Sequence, residues 1–166
     1  MNKKLFLVIL LINAFTISCS HKTQVKENKS YYLIVNNLKN VTTLPDENFY
    51  PKGDSIIAKA LDNFKKITPQ LIEKISDTTK TKYKYADSFF YSVGDVAIEI
   101  LSIGDNDFKL PMRSIIENEF KIHNKNDSFD LIFYDFFHQN TPKVNLENRK
   151  KLKAATKKWY NESINK

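Results

Sequence analysis

After Asp54, nearly every apolar run in this chain is preceded by a residue that opens a helix, and this punctuation restricts the fold to a predominantly helical one. Ser92-Val93-Gly94-Asp95 has the form of a capping box, in which hydroxyl and carboxylate satisfy two N–H groups that a helix start leaves without partners. Val96, Ala97, Ile100 and Leu101 then recur at helical spacing up to Gly104. Asp54 stands before Ile56, Ile57, Ala60, Leu61 and Phe64, which share one helical face. Thr68-Pro69 reads as an N-cap with Pro at the first helical position, ahead of Leu71, Ile72 and Ile75, with an end near Ser76 to Thr79. Pro111 permits a helix that turns Ile115, Ile116 and Phe120 inward. Asp127 precedes Phe129 to Phe137, a run apolar almost all round and so expected at the centre of the core. Thr141-Pro142 breaks the chain, and Asn145 opens a last helix with Leu146, Leu152, Ala155, Trp159 and Tyr160 on or near its inner side.

The expected fold class is therefore mostly α, an irregular multi-helix domain of about six helices in succession. The paired short helices between Asp54 and Gly104 resemble the helix-turn-helix units of α-solenoid repeats, although no repeat motif accompanies them. Twelve Phe and eight Tyr are far more than a disordered chain carries. Only three Gly are present, which counts against Gly-rich phosphate loops and against a β-protein built on many tight turns. Tyr31 to Val35 is a short apolar run that periodicity alone does not assign to strand or helix. Asn36 to Asp54, with Pro45, Pro51 and Gly53, is expected to be irregular.

The N-terminus has a different character. Met1 to Lys4 is a positively charged start, Leu5 to Ile12 an unbroken apolar stretch, and Thr16-Ile17-Ser18 leads to Cys19, the only cysteine in the chain. A lone cysteine makes no intramolecular disulfide, and an apolar stretch this short, with Asn13 inside it, falls below the length that spans a bilayer. The segment resembles the signal peptide and lipobox of bacterial lipoproteins. That resemblance implies removal of residues 1–18, diacylglyceryl transfer to the Cys19 thiol and acylation of the new amine, which together anchor the protein in a membrane of the cell envelope. Residues 19–30 then form the lipidated cysteine and a polar tether, and residues 31–166 a single helical domain. The mature part, through Leu71 to Thr79 and Ser92 to Ala97, is similar to small helical lipoproteins of Bacteroidetes-type bacteria. This implies a helical fold and no particular chemistry.

The formal charge of +7 is concentrated near the C-terminus, where Lys143 to Lys166 hold eight basic residues against Glu147 and Glu162. Clustered lysines suit phosphates, but export removes the chain from nucleic acid, which is not expected as a partner. The reading preferred for these lysines is the solvated face of a terminal helix. His21, His123 and His138 show no metal-ligand spacing, so no metal or other cofactor is expected. Asp105-Asn106-Asp107 lacks the glutamate that an EF-hand loop needs at its twelfth position, and reads as a turn after Gly104.

No catalytic constellation emerges from the sequence. The internal feature of most interest is the aromatic cluster Tyr83, Tyr85, Phe89, Phe90 and Tyr91, expected in a loop between helices, where such side chains either cover the core or line a binding surface for a protein or glycan. The leading expectation is a membrane-tethered, non-enzymatic module that binds another envelope protein. One alternative is an envelope hydrolase or glycan-processing enzyme, drawing acid and base from Glu73, Asp77, Asp95 or Glu99 if they converge. Another is an immunity-type lipoprotein that neutralises a toxin.

Overall fold

A carboxylate that caps one helix can also hold the segment that precedes it, and Asp54 does both. Its Oδ1 accepts the Ile56 N–H at 2.9 Å, opening a helix, while Oδ2 accepts the N–H groups of Thr42 at 2.8 Å and Thr43 at 3.3 Å. Burial pushes the Asp54 carboxyl up, but the hydrogen bonds from Thr42, Ile56 and Thr43 outweigh it and hold the group below its ordinary value. Asp54→Ala is expected to lower stability by about 1–2 kcal/mol, read as a drop in urea midpoint; an unchanged midpoint would show that the cap is dispensable.

The computed structural model describes residues 30–45, 54–85, 88–104, 108–122 and 129–164. Residues 1–29, with Cys19 and His21 among them, and His123, Asp105 to Asp107 and Asp127 lie outside the described residues. Helix α1 covers residues 30–36 and tightens into a 3-10 turn, Asn37–Asn40. There follow α2 (Ser55–Asp62), α3 (Phe64–Lys74), β1 (Lys80–Tyr85), β2 (Phe89–Ser92), α4 (Val93–Ile103), α5 (Met112–Phe120), α6 (Phe129–Phe137) and α7 (Pro142–Ile164). The fold is mostly helical, as the sequence predicts, with a two-stranded sheet added. No described helix is long and apolar enough to cross a membrane.

The centre of the core is α4. Apart from the half-buried Glu99, every residue from Val93 to Leu101 is buried, and the helix packs against α2, α3, α5, β2 and the 3-10 turn. The expectation that the Phe129–Phe137 run is central is corrected: among its described side chains, α6 buries Ile132, Phe133 and Phe137 but leaves Leu131 48% and Tyr134 40% exposed. An all-apolar helix needs neighbours on all sides to be central, and the helix with which α6 makes its main contact is α7.

Two helix boundaries also move. Thr68-Pro69 does not open a helix; α3 begins at Phe64 and carries Pro69 inside it. The break falls at Asn63, whose carbonyl accepts from Lys66 and Ile67, and the Thr68 hydroxyl bonds back to the Phe64 carbonyl at 2.8 Å. Pro69 is the sixth residue of α3, where the lost hydrogen bond and the crowding of the carbonyl four residues back cost about 3 kcal/mol, a cost that burial of Phe64, Ile67 and Leu71 offsets. The last helix starts at Pro142 rather than Asn145, with the Thr141 hydroxyl accepting the Val144 N–H at 3.4 Å, so Thr-Pro acts here as a start signal rather than a break.

The loop expected around the aromatic cluster is a β-hairpin. Lys80 pairs with Ser92, Lys84 with Phe90 and Tyr85 with Phe89, with an irregularity in register between Lys80 and Lys84. At that irregularity the buried Thr81 hydroxyl donates to the Tyr91 carbonyl at 2.9 Å and accepts the Tyr83 N–H at 3.2 Å, replacing part of the ladder. The alternation Lys80-Thr81-Lys82-Tyr83-Lys84-Tyr85 explains the hairpin: Thr and Tyr turn inward, and the three lysines face water.

Candidate functional site

The capping box at Ser92 and Asp95 forms as the sequence predicts: Ser92 Oγ accepts the Asp95 N–H at 3.2 Å, and Asp95 Oδ2 accepts the Ser92 N–H at 2.6 Å. The Ser92 hydroxyl also donates to Oδ2, at 2.8 Å. What the local pattern does not disclose is that Asp95 is fully buried and meets two residues from the C-terminal third of the chain. Arg149, on α7, brings Nη2 to 2.5 Å from Asp95 Oδ1, and His138, just past α6, brings Nε2 to 3.3 Å from Oδ2. The Asp95–Arg149 contact is ionic, with no guanidinium N–H aimed along it, and Nη2 also donates to the Phe137 carbonyl at 3.4 Å. The guanidinium carbon sits 5.2 Å from the Phe137 ring centre.

Burial pushes the Asp95 carboxyl up, but the His138 hydrogen bond, the Arg149 charge and the Ser92 N–H together hold it below its ordinary value, so it stays ionised. The cluster is roofed by aromatic rings. His138 lies 4.2 Å, centre to centre, from Phe89 and 5.6 Å from Phe133, and Phe89 lies 5.6 Å from Tyr134. An aspartate beside a histidine is the orienting half of a nucleophilic triad, which also needs a hydroxyl presented to the ring. The Ser92 hydroxyl is directed to Asp95 instead and is not presented to the ring, and the contacts of Asp95 join α4, the end of α6 and α7.

The candidate aromatics divide by strand face. Tyr91 is buried; Tyr83, Tyr85 and Phe89 are half-buried and face inward with it, Tyr85 stacking at 5.7 Å and Phe89 at 5.8 Å from the Tyr91 ring. Phe90 alone of the five points outward, 44% exposed, with Lys80 Nζ 5.8 Å from its ring centre. Lys82 and Lys84 are exposed on the same strand face.

The four carboxylates that would have to converge for acid–base catalysis are distributed over separate contacts. Glu73 meets Lys157 at 2.7 Å and Lys153 at 3.1 Å, which keep its carboxyl below the ordinary value; Asp77 meets Lys74 at 2.9 Å. Asp95 is in the buried cluster, and Glu99 lies half-buried on α4. Among the described residues no group of three His, Cys, Asp or Glu side chains is placed to hold a metal ion.

Sequence reasoning missed Arg149 and His138. Arg149 belongs to the basic run that reads as a solvated face, yet Asn145, Arg149, Leu152 and Thr156 recur at three- and four-residue spacing on the inner side of α7, and that phase marks it as buried. Compared with known protein families, curated proteins and solved structures, the chain matches none.

Proposed function

We propose that this chain is a lipid-anchored envelope protein whose helical domain binds another envelope protein through the outer face of the hairpin. The observation that carries the reading is the exposed Phe90 ring set among Lys80, Lys82 and Lys84. An exposed aromatic on a strand that is otherwise tightly packed is the form of an interface anchor, and the surrounding lysines favour a partner with an acidic rim. Separate cation contacts for Glu73, Asp77 and Asp95 favour binding over hydrolysis. The lone Cys19 behind a charged and apolar leader supports anchoring by lipid.

Three measurements test this reading. A photoreactive amino acid at position 90 is expected to crosslink one defined envelope protein, and the same probe at Asn118, exposed on α5, to crosslink none. Phe90→Ala is expected to weaken that association by about 2 kcal/mol, roughly thirty-fold. Cys19→Ala is expected to release the protein from the membrane fraction. No crosslink at position 90 from abundant, anchored protein would remove the binding-module reading, and retention of Cys19→Ala in membranes would remove the anchor.

A further inference from the structure

The most exposed large apolar side chains among the described residues are neighbours: Tyr32 is 61% and Leu33 60% exposed, both on α1. Beside them lies a groove of about 400 Å³ whose lining, among the described residues, includes Leu33, Ile34, Ile56, Lys39 and Lys59 and no acidic residue. Lys39 and Lys59 are both exposed. Two side chains and a shallow groove bury far less than the roughly 1,000 Å² that a stable protein interface requires. A tyrosine, a leucine and flanking lysines are, however, the residue types that settle at the boundary between lipid head groups and acyl chains.

The position of α1 in the chain supplies the partner. Cys19 and Ser30 are separated by eleven Cα–Cα steps, which even at full extension span at most about 40 Å. An acylated Cys19 therefore keeps α1 beside the bilayer at high effective concentration, where a patch too small to bind a membrane unaided is enough to orient a domain already held there.

We propose that α1 is the membrane-facing surface of the domain, with Tyr32 and Leu33 seated in the head-group region of the anchoring bilayer and Lys39 and Lys59 on its anionic phosphates. The proposal rests on the lipid-anchor reading, and its test separates the two. The only native cysteine is acylated in that reading, so Leu33→Cys or a control Asn118→Cys carries an environment-sensitive thiol label at a single site. The lipidated protein is reconstituted in vesicles of phosphatidylethanolamine and phosphatidylglycerol, with and without nitroxide-bearing lipid.

The label at position 33 is expected to be quenched by the nitroxide lipid several-fold more than the label at 118, and to lose much of that quenching when phosphatidylglycerol is replaced by phosphatidylcholine. Equal quenching at the two sites overturns the proposal. So does a water-excluded label at 33 that lipid quenchers do not reach, because a second copy or another protein then covers the face. Since only N-terminal peptides whose mass shows the acyl chains are scored, failure of the anchor is read from the mass spectrum and failure of this orientation from the quenching.

Discussion

Arg149→Ala is expected to destabilise the domain by about 3–5 kcal/mol, because it leaves the Asp95 carboxylate buried without its main counter-charge. The Asp95 side chain is fully buried and Arg149 is nearly so, so water is not positioned to replace the guanidinium. His138 and the Ser92 N–H still reach Oδ2, but Oδ1 loses the cation 2.5 Å away. The measurement is urea unfolding followed by circular dichroism. A cycle with Asp95→Ala and the double variant Asp95→Ala/Arg149→Ala sharpens it, since the double variant is expected to lose much less than the two single losses added together. Simple addition would mean that the two charges stabilise the fold independently of each other.

The same variant has a pH signature. In the parent protein the Asp95 carboxyl is held below its ordinary value, so its stabilising contribution is fully present above the unfolded value of about 3.9 and is lost as pH falls through the folded value. Without Arg149 the effect of burial is less opposed and the folded value rises. The deficit of Arg149→Ala relative to the parent should therefore be largest near neutral pH and narrow as the solution is acidified through that range. A deficit constant from neutral pH to acid would show that lost packing, rather than an unpaired carboxylate, is the cause.

Gly94→Ala is expected to destabilise by about 1–3 kcal/mol or more, from overpacking against backbone that has little room to shift. Helix propensity predicts the opposite sign, since replacing a glycine inside a helix by alanine gains about 1 kcal/mol. The difference lies in the neighbours: a Cβ on Gly94 would meet the Ile75 carbonyl oxygen at 2.4 Å and the Asp77 carbonyl oxygen at 3.1 Å. The Gly94 N–H donates to that Asp77 carbonyl at 2.9 Å, and the neighbouring Val93 N–H donates to the Thr79 carbonyl at 2.8 Å. The first turn of α4 is thus pressed onto the chain that leaves α3, and only a residue without a Cβ fits. A urea midpoint equal to or above that of the parent would sink this account.

The parts of the fold that were legible in advance depend on groups a few residues apart. The Ser92–Asp95 capping box and the Asp54 cap form where the pattern places them, because each is a hydrogen bond between neighbours in sequence. The inward residues Ile115 and Ile116 of α5 follow from its period in the same way. The hairpin was legible too, in the alternation of Lys80 to Tyr85, but that signal was masked by a cluster of tyrosines and phenylalanines that suits a loop equally well. Thr68-Pro69 looks like a helix start because proline inside a helix costs about 3 kcal/mol, but burial of Phe64, Ile67 and Leu71 outweighs that cost and decides where α3 begins.

The sequence by itself determined a mostly helical domain, the caps of α2 and α4 and the inner face of α5, since period and capping act within one or two turns. Tertiary structure alone decided that α4 and not α6 is the centre, that Gly94 must remain without a side chain, and that Asp95 is held by Arg149 and His138. Those outcomes depend on which faces of distant segments meet, and a carboxylate that caps its own helix has the same local sequence whether its outer side faces water or a buried guanidinium.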